Sequence, residues 1–547
     1  MDDGLVTEGA GAGPEPRVAV PPSPEPTSRR GLLAAGAAAL AAAATLAAPR
    51  AASAQVVVRP PTRRPPPPAA TGDSLLRLVR RATNGVTEEE LARAKSLGFA
   101  GYLDYHLKAT AIDDRAVEAF ITTKYPELAL DGLGLYQLDQ FQLYNKFTEA
   151  TIYRAAFSKR QLYERMVQFW SDHFSIYYFK VNYLHLIADR EVVRKHALGK
   201  FPDLLRASAH SPAMLEYLDN TRSRNRNVNQ NYARELMELH TMGADGGYSQ
   251  TDVEEVTRCL TGWTIQGRGE AFRFDSGGHD FTAKTVLGFA IPVQAQGPDG
   301  VKDGDQVLDI LLKNPSTAKF ISTKMIRWLL QYEPPAALVD KVVATYTKTG
   351  GDIPSMIRDI LTPANLLAAP AKYRQPYQMV TAALRATQPT VTNVTPVGTR
   401  QLDALGQGLF RWEDPDGWPD NVDWWAGTIL PRWNFMSFLT GLATGDVVVD
   451  VAPLMAVSTP DAIADAIGRR AYGGEMPAAL RTHVRGYLAS APITVTRVRD
   501  AFALALSSSS FQWFCERGRD EHRRAPGLRR LSRVQRAFAT GLSRKRR

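Results

Sequence analysis

Residues 161–174 read QLYERMVQFWSDHF, and this stretch shows the pattern that decides the fold. Its apolar residues recur at the spacing of helical turns: Leu162, Met166, Phe169 and Trp170. His173 continues the same series. Residues that repeat every three or four positions share one side of an α-helix. The stretch therefore predicts an amphipathic helix with a histidine on its buried side.

A second stretch, NYARELMELH at residues 231–240, repeats this arrangement. Its apolar residues and His240 fall on one helical face. Glu235 and Glu238 lie about 140° to 160° away from His240 around the helix axis. These three side chains therefore cannot chelate one ion from a single helix, and the two glutamates remain candidate catalytic carboxylates.

If the two helical faces meet, His173 and His240 share a polar pocket. A carboxylate from another segment can complete it, and Asp219, Glu216 and Asp280 are the candidates. Such a group suits a transition metal or acid–base chemistry. In the alternative, each histidine is structural and satisfies its nitrogens with a backbone carbonyl or a carboxylate. The cofactor stays open, with a transition metal as one candidate and His173 and His240 as its ligands.

The stretch GGHDFTAK, residues 277–284, supplies further candidates. Its two glycines allow a sharp turn, so that the polar side chains extend from a loop. His279 and Asp280 are candidate catalytic residues, because a carboxylate beside an imidazole can orient it for base or metal chemistry. Lys284 is a candidate ligand-binding residue. A plain turn is the alternative, since adjacent side chains often diverge.

Two more segments predict ligand contacts. Asn229, Asn231 and Arg234 follow the arginine-rich loop TRSRNRN, which can pair with an anionic group or remain solvated. The segment DGWPDNVDWWAGTILPRW carries Trp418 and Trp424, whose rings stack on sugars or other flat ligands if they are exposed. If buried, they belong to the core. The common serine hydrolase, zincin, P-loop and dinucleotide-binding motifs do not occur in the sequence.

Helical periodicity runs through the chain from Ser74. The stretch TEEELARAKSLG predicts a helix with Thr87 as N-cap, Glu90 as its capping-box partner and Gly98 as a stop. We therefore predict a mostly α protein.

Strand-like pieces are few. FRF at residues 272–274 and TVLGFAIPV after Lys284 predict one hairpin around the GGHD turn, and VVVDV near Val447 predicts a short strand. The predicted fold is thus a large multi-helix domain with a small β-hairpin insertion around residues 271–293.

The N-terminal stretch SRRGLLAAGAAALAAAATLAAPRAASAQ places Arg29 and Arg30 ahead of an alanine-rich apolar run. A small-residue cleavage site follows at residues 52–54. The arrangement resembles a twin-arginine export signal, and an uncleaved anchor is the alternative. Later segments contain no run of 18 apolar residues, so no stable transmembrane segment is expected after cleavage. The predicted location is periplasmic or extracellular.

The remaining organisation follows from composition. We predict four regions: a signal peptide at 1–54, a proline-rich linker at 55–73, a helical domain at 74–515 and a basic tail at 516–547. The tail holds 12 Arg or Lys against 3 Asp or Glu, which is +9 of the net charge of +10. A nucleic-acid partner is not expected, because the basic excess is confined to this tail. Two cysteines, Cys259 and Cys515, rule out thiolate clusters and allow at most one disulfide.

Several ordered motifs together resemble one bacterial family, the domain of unknown function 1800. They are FSKRQLYERMVQFWSDHF, KFPDLLRASAHSPAMLEYLDN, NQNYARELMELHTMGADGGYSQTDVEEVTRCLTGW, HDFTAKTVLG, NPSTAKFISTKMIRWLL and DGWPDNVDWW. The resemblance spans Ser74 to Phe514 and implies a large exported bacterial protein without an established activity. At Gln230 the chain departs from the family pattern, which more often has glutamate between the two asparagines.

Two hypotheses follow. In the first, the protein is an exported metal-binding protein or enzyme whose pocket involves His173, His240 and His279 with nearby Asp or Glu. In the second, it is a non-catalytic envelope or extracellular scaffold that binds a protein or polysaccharide partner through the tryptophan-rich segment or the basic tail. The sequence favours the first.

Overall fold

Capped helices with buried faces make up most of the fold. The computed structural model describes residues 73–267 and 271–514, which lie in one compact unit, Pro68–Arg547. The predicted export signal, all but the last residue of the linker, Cys515 and the basic tail lie outside the described residues.

The first part of the described chain forms seventeen α-helices up to residue 368. They are α1 (Ser74–Ala82), α2 (Glu88–Leu107), α3 (Arg115–Lys124), α4 (Gly132–Tyr136), α5 (Gln140–Phe157), α6 (Gln161–His173), α7 (Tyr178–Val181), α8 (Tyr183–Ala188), α9 (Phe201–Ala209), α10 (Pro212–Tyr217), α11 (Asn231–Glu235), α12 (Gln250–Leu260), α13 (Lys302–Lys313), α14 (Pro315–Leu329), α15 (Ala336–Thr349), α16 (Ile353–Ile360) and α17 (Pro363–Ala368).

The second part of the described chain is also helical. Its helices are α18 (Pro376–Thr387), α19 (Thr399–Ala404), α20 (Val422–Trp425), α21 (Ile429–Gly441), α22 (Ala452–Met455), α23 (Pro460–Tyr472), α24 (Ala478–Ala489) and α25 (Val495–Ser507). The predicted mostly α class is therefore confirmed.

Helix α2 tests the predicted start and stop signals. The Thr87 hydroxyl accepts a hydrogen bond from the Glu90 backbone N–H at 3.1 Å, which confirms the N-cap. The capping box is wrong, because the Glu90 carboxylate turns inward and accepts from Tyr102 Oη at 2.9 Å and His106 Nε2 at 3.1 Å. Gly98 leaves the helical conformation, with φ 66°, but a helix resumes at once and ends at Leu107.

Two segments adopt the wider π-helical turn, at Asp189–Arg194 and Leu236–Thr241. The second forms the latter half of NYARELMELH, so the α-helical angles predicted for that stretch hold only as far as Glu235. His240 is nevertheless buried, as its spacing predicts. Single π turns inside helical regions often accompany functional sites.

Short antiparallel pairs interrupt the helices. The described residues contain three two-stranded sheets: β1 (Trp263–Gln266) with β2 (Ala271–Phe274), β3 (Lys284–Val286) with β4 (Phe289–Ile291), and β5 (Thr390–Val391) with β6 (Val447–Val448).

The region around 271–293 is thus confirmed as β structure, but the predicted pairing is wrong. FRF lies in β2 and pairs with β1, which precedes it in the chain. TVLGFAI forms a hairpin of its own, in which β3 pairs with β4. Leu287 and Gly288 both have positive φ, at 50° and 82°, which closes a two-residue turn. Local turn chemistry therefore outweighed pairing across the GGHD loop. The strand predicted near Val447 is confirmed as β6.

The described residues form two large apolar cores and a small third cluster around Val117 and Ile121. The first gathers buried side chains between residues 76 and 369, and the second gathers those of 377–511 with three residues of α5. Helix α18 belongs to the second core and is buried along its whole length. None of the helices in the described part of the chain is long and apolar enough to cross a membrane.

Candidate functional site

Helix α6 is buried on two sides. Its predicted apolar face packs in the first core. Glu164, Gln168 and Asp172 follow each other at four-residue spacing and form a polar stripe on another face. Glu164 and Gln168 are buried and Asp172 is half-buried. Buried polar side chains carry a cost unless they find partners, so this stripe marks a site to be explained.

The stripe faces a cleft between the two cores, called here the α6 cleft. The room inside it is about 30 Å³, within a larger hollow of about 580 Å³ that includes open solvent. The interior therefore accommodates one or two water molecules or single ligand groups, and a larger ligand has to lie at its open side. The lining side chains are Thr151, Glu164, Val167, Gln168, Ser171, Asp172, Ser175, Ile176, His185, Asp189, Tyr377, Gln407, Leu409, Phe410, Trp412 and Trp418.

One end of the α6 cleft is held by a satisfied ion network. Arg194 donates to Glu164 at 3.1 Å and to Asp189 at 2.8 Å, so that two of the three carboxyl side chains of the lining are paired. Burial lowers the pKa of Arg194, but the charges of Asp189 and Glu164 outweigh it and raise the pKa well above its ordinary value. Both carboxylates at this end of the cleft therefore have a hydrogen-bonded cation as partner.

A chain of amides continues along the wall. Gln168 Nε2 and Gln407 Nε2 both donate to Gln375 Oε1, at 3.3 and 3.2 Å. Gln407 Oε1 accepts from the Tyr377 backbone N–H at 2.8 Å. These bonds fix the glutamine side chains, so the atoms that remain are presented in a defined orientation.

Four buried polar atoms of the lining have no protein partner. They are Gln168 Oε1, Asp172 Oδ2, His185 Nδ1 and Trp418 Nε1. Most buried polar atoms in folded proteins are hydrogen-bonded, and an unsatisfied one costs about 1–3 kcal/mol. Their convergence on one cleft indicates a place where a ligand or solvent completes the hydrogen bonds.

Electrostatics decide whether Asp172 donates or accepts. Burial, with the charge of Asp420 adding to it, raises the pKa of Asp172 to about 8, against the opposing charge of Lys324. The carboxyl group is therefore mainly neutral at pH 7 and can donate a hydrogen bond from Oδ2. Asp172 thus acts in the cleft as a hydroxyl-like donor.

His185 supplies an acceptor. Burial lowers its pKa to about 4, so the ring is neutral at pH 7. The ring hydrogen-bonds the Ile176 backbone, and Nδ1 is the nitrogen without a partner. Because a backbone carbonyl can only accept, the proton lies on the other nitrogen, and Nδ1 offers a lone pair.

Tryptophans form the outer wall of the cleft. Trp418 lies 4.7 Å from Trp412 between ring centroids and 5.6 Å from Trp425. Trp424 lies 5.6 Å from Trp412 and is 45% exposed. The sequence-predicted Trp418 therefore lines the cleft, and Trp424 extends the aromatic surface outward.

The backbone that carries this wall is tightly constrained. Gly417 has φ 79°, and a Cβ at this position would lie 2.2 Å from the Asp172 backbone oxygen. Phe410, in the same segment, adopts φ 60°, a conformation that costs a bulky residue about 1–3 kcal/mol. The segment from Phe410 to Trp418 is thus pressed against α6 in a conformation that only its surroundings maintain.

The predicted meeting of His173 and His240 does occur. Their ring centroids are 6.2 Å apart, both are buried, and His173 Nε2 donates to the His240 carbonyl at 3.2 Å. Burial lowers the pKa of His240 to about 3 and that of His173 well below its ordinary value. Both rings are neutral, and aromatic residues such as Phe174 surround them.

The carboxylates proposed to complete that pair bind elsewhere. Asp219 accepts from Lys180 at 3.0 Å, Glu216 from Thr221 at 3.0 Å and Asp280 from Arg258 at 2.8 Å. Across residues 73–267 and 271–514, no group of three or more His, Cys, Asp or Glu side chains is placed to hold a metal ion. His173 Nε2 has the backbone bond that the structural alternative describes, whereas His173 Nδ1 and His240 Nε2 are buried without a protein partner.

The loop GGHDFTAK brings together two of its three predicted residues. His279 Nε2 lies 3.2 Å from Asp303 Oδ2, and Lys284 Nζ donates to the same oxygen at 2.7 Å. His279 Nδ1 donates to the Thr261 carbonyl at 2.7 Å. Asp280 turns away to Arg258. The orienting carboxylate is therefore Asp303, on α13, and not the adjacent Asp280.

Glu235 and Glu238 share a half-buried acidic surface. Burial and the charge of Glu238 raise the pKa of Glu235, and Asp416 adds to the rise. Asp416 belongs to the segment that carries Trp418. Neither glutamate lines the α6 cleft.

The polar residues at the start of α11 hold the local chain. Asn229 Oδ1 accepts from the Asn231 backbone N–H at 2.9 Å, and Asn231 Nδ2 donates to the Leu218 carbonyl at 3.3 Å. Arg234 donates to Gln250 Oε1 at 2.9 Å, and Gln250 donates to Gln230 at 2.8 Å. These contacts order the beginning of the helix, and they include the position where the chain departs from the family pattern.

Sequence reasoning missed most of the cleft. One signal was present in QLYERMVQFWSDHF, because its polar residues repeat at helical spacing beside a complete apolar face. A helix that is apolar on one face and carries Glu, Gln and Asp in register on another fits a helix buried between two layers. The partners Tyr377 and Gln407 lie more than 200 residues away in the chain and gave no local signal.

The fold and the cleft define a large helical protein with an enclosed polar site between two cores. Its sequence matches the model of a family described as "Protein of unknown function (DUF1800)" over residues 77–513. The chain therefore belongs to the DUF1800 family. Neither a curated protein nor a solved structure matches the chain.

Proposed function

We propose that this protein binds a neutral, polyhydroxylated ligand, a sugar unit of an envelope or extracellular polysaccharide, at the open side of the α6 cleft, with hydroxyl groups that reach into the cleft. The observation that carries the proposal is the convergence of four buried polar atoms without protein partners on one cleft. The protein is thus an exported saccharide-binding protein. The proposal takes up the second of the two hypotheses, with the tryptophan-rich segment as the binding wall.

Two of the unpaired atoms are hydrogen-bond donors and two are acceptors. Asp172 Oδ2 and Trp418 Nε1 offer protons, whereas Gln168 Oε1 and His185 Nδ1 offer lone pairs. A hydroxyl group both donates and accepts, so a ligand with several hydroxyls can satisfy all four. A purely apolar ligand would leave them unsatisfied, at a cost of about 1–3 kcal/mol each.

The aromatic residues favour a ring-shaped ligand. Trp412, Trp418 and Phe410 contribute flat apolar surfaces beside the polar atoms. Sugars present both kinds of surface, because their C–H groups pack on aromatic faces while their hydroxyls point outward.

The charge of the lining favours a neutral ligand. The cleft-lining side chains in the described chain include no Lys or Arg, and Glu164 and Asp189 are both paired with Arg194 behind them. An anionic ligand would find no cation to pair with, and a cationic ligand would have to compete with Arg194.

Binding to defined saccharides tests this proposal. The full chain is screened on an array of neutral and acidic glycans, and hits are titrated by isothermal calorimetry. We expect binding to neutral sugars that Trp418→Ala weakens at least tenfold, since one stacking surface and one donor are lost. Trp433→Ala removes an exposed tryptophan of α21 outside the cleft lining and is the matched control.

Two results would contradict the proposal. One is the absence of neutral-glycan binding by the folded wild-type protein, and the other is an affinity that Trp418→Ala leaves unchanged. Trp424→Ala adds information on ligand size. Loss of affinity for oligosaccharides but not for monosaccharides would indicate that the chain of sugars runs outward over the exposed ring.

Export is the second part of the proposal. The twin-arginine pattern at Arg29 and Arg30 supports a location outside the cytoplasm, where polysaccharides occur. Replacement of both arginines by lysine should retain the protein in the cytoplasm, as fractionation and immunoblotting measure. Unchanged export of that variant would refute the twin-arginine route without affecting the ligand proposal.

A further inference from the structure

Five cationic side chains gather in the interior, away from the lining of the α6 cleft. They are Arg81, Arg165, Lys372, Arg374 and Arg432, called here the arginine cluster. Each is at most 5% exposed. Lysine and arginine are rarely buried unless a partner neutralises them.

Aromatic rings hold the cluster together. The guanidinium carbons of Arg81, Arg165 and Arg374 lie 5.5, 4.8 and 5.0 Å from the centroid of Phe514. Arg165 also lies 5.5 Å from Trp328. Three cations therefore share one ring, which places their like charges close together.

The negative charge nearby is small. Asp420 is the carboxylate that pairs with the cluster in the described chain, through Lys372 Nζ. Lys372 also donates to the Arg327 carbonyl at 2.8 Å. One carboxylate against five cations leaves a large positive excess in a buried region, and such an excess is unfavourable.

Hydrogen bonding is incomplete at two members. Arg165 is fully buried, and its Nε, Nη1 and Nη2 have no hydrogen-bond partner in the protein. Arg81 donates from Nη2 to the Pro370 carbonyl at 2.9 Å, but its Nε and Nη1 are also without a partner. Cation–π contacts balance charge in part but do not accept N–H hydrogen bonds in the plane of the guanidinium.

Other buried arginines show what a satisfied group looks like. Arg385 donates to the carbonyls of Gly85 at 2.7 Å and Ala156 at 2.9 Å, and it lies 3.7 Å from Glu90. Arg432 donates from three nitrogens, to Thr428, Gln512 and the Arg374 carbonyl. The free nitrogens of Arg165 and Arg81 are therefore not typical of this protein.

From this arrangement we infer that Arg165 and Arg81 bind a phosphoryl group, either as free phosphate or as part of a phosphate ester. A dianion offsets more of the excess charge than one carboxylate does, and its oxygens accept from several guanidinium nitrogens at once. Arg374 and Lys372 contribute charge to the same site. This inference is independent of the saccharide proposal, because the two sites share no lining residue.

Elemental analysis of the purified full chain tests the inference. Since Arg165 is fully buried, we expect the group to stay bound through purification in phosphate-free buffer. The denatured protein should then release phosphorus in a stoichiometric amount, measured by plasma mass spectrometry. Ion chromatography separates the two sources, because free phosphate is detected as the inorganic anion and an ester is not.

Two variants make the test specific. Arg165→Met keeps much of the side-chain volume, removes the charge and should abolish the bound phosphorus. Arg385→Met, the matched buried control, should lower stability but retain the phosphorus if the variant folds. If Arg165→Met fails to fold, Arg81→Met serves in its place.

Thermal unfolding adds a second readout. Protein depleted of the group by denaturation and refolding should gain several degrees in Tm with added inorganic phosphate, compared with chloride at equal ionic strength. Arg165→Met should show no such gain. Wild-type protein that contains no phosphorus, and whose Tm is the same in phosphate and chloride, would overturn the inference.

Discussion

The His279 cluster and the α6 cleft are both buried and polar, but they differ in how far the protein satisfies them. At His279, the imidazole and the Lys284 ammonium both bond to Asp303 Oδ2 within 3.2 Å, and Asp303 Oδ1 is the one atom of these three side chains that is buried without a partner. In the α6 cleft, four side chains from three segments each keep one buried atom without a partner. The first arrangement stabilises the fold, and the second leaves hydrogen-bonding capacity for a ligand.

This difference assigns roles that residue type alone does not. Histidine, aspartate and lysine at 279, 303 and 284 have the composition of a catalytic group, yet their bonds are directed at each other. Glutamine, tryptophan and neutral aspartate in the cleft have a less reactive composition, yet they face open space. The meeting of several unpartnered buried atoms at one cleft therefore distinguishes the binding group here, which composition does not.

Asp303→Ala should give the largest effect. It leaves Lys284 and His279 buried without their anion, and breaking a buried ion pair costs about 3–5 kcal/mol. We expect the free energy of unfolding, measured by urea denaturation, to fall by that amount. Asp305→Ala, on the same helix and paired with the more exposed His210, is the control and should cost about 1 kcal/mol or less.

A functional role of the cluster would appear as a separate effect. If Asp303→Ala still folds and its glycan affinity is unchanged, the cluster is structural. A loss of glycan affinity in a folded variant would show that the His279 cluster takes part in binding.

Acid should destabilise a second satisfied group, at Glu90. Burial would raise its pKa, but the hydrogen bond from His106 and the charges of His106 and Arg385 lower it to about 2. Because the folded pKa lies below the ordinary value of 4.5, this contribution is complete above pH 4.5 and is lost as the pH falls toward 2. The shift corresponds to about 3 kcal/mol at most.

A Glu90→Gln variant isolates this contribution. It should be less stable than wild type at neutral pH, and the difference should shrink between about pH 4.5 and 2, as urea midpoints measure. A difference that stays constant over this range would show that Glu90 titrates normally in the folded protein.

Local signals account for much of what the sequence predicted. The apolar spacing of α6, the Thr87 cap and the burial of His173 and His240 all depend on residues a few positions apart. Even the contact between the two histidine-bearing faces followed from the fact that both faces are apolar. Such patterns are set by helix geometry and are visible without knowledge of the partner.

Long-range pairing accounts for the failures. Asp303, on helix α13, contacts His279, which lies in a loop. Tyr377 and Gln407 contact the α6 cleft from the part of the chain that forms the second core. Nothing beside these residues in the sequence identifies their partners. The hairpins failed for the opposite reason, because the positive φ of Leu287 set a local turn that its side chain does not favour.

Gly417→Ala should act on the cleft more than on the cores. An added Cβ would lie 2.2 Å from the Asp172 backbone oxygen, in a conformation that suits glycine. We expect a stability loss of about 1–3 kcal/mol and a loss of glycan affinity, because the segment that carries Trp418 must move away from α6. Gly427→Ala is the control, since its Cβ would meet no atom within 4 Å. Unchanged affinity in Gly417→Ala would show that the tryptophan wall does not need its contact with α6.

Asp172→Asn should change the free energy of unfolding least, and the direction of that change is informative. Because the folded pKa of about 8 exceeds the ordinary value of 3.8, the folded protein holds a proton that the unfolded chain has lost. Wild-type stability should therefore decline as the pH rises from about 4 to about 8, by an amount on the order of a few kcal/mol.

The asparagine side chain resembles neutral aspartic acid in size and hydrogen bonding, so the variant should lack this decline and should match or exceed wild-type stability at pH 7.

The proton on Asp172 should also affect glycan affinity. Wild-type binding should weaken above about pH 8, when Asp172 loses the proton that it donates, whereas the variant should bind equally at both pH values. Asp423→Asn, which changes an exposed carboxylate of α20, is the control and should leave the pH dependence of stability and of glycan affinity as in wild type. If Asp172→Asn destabilised the protein at pH 7, Asp172 would be an ionised partner in a satisfied network, and the α6 cleft would resemble the His279 cluster after all.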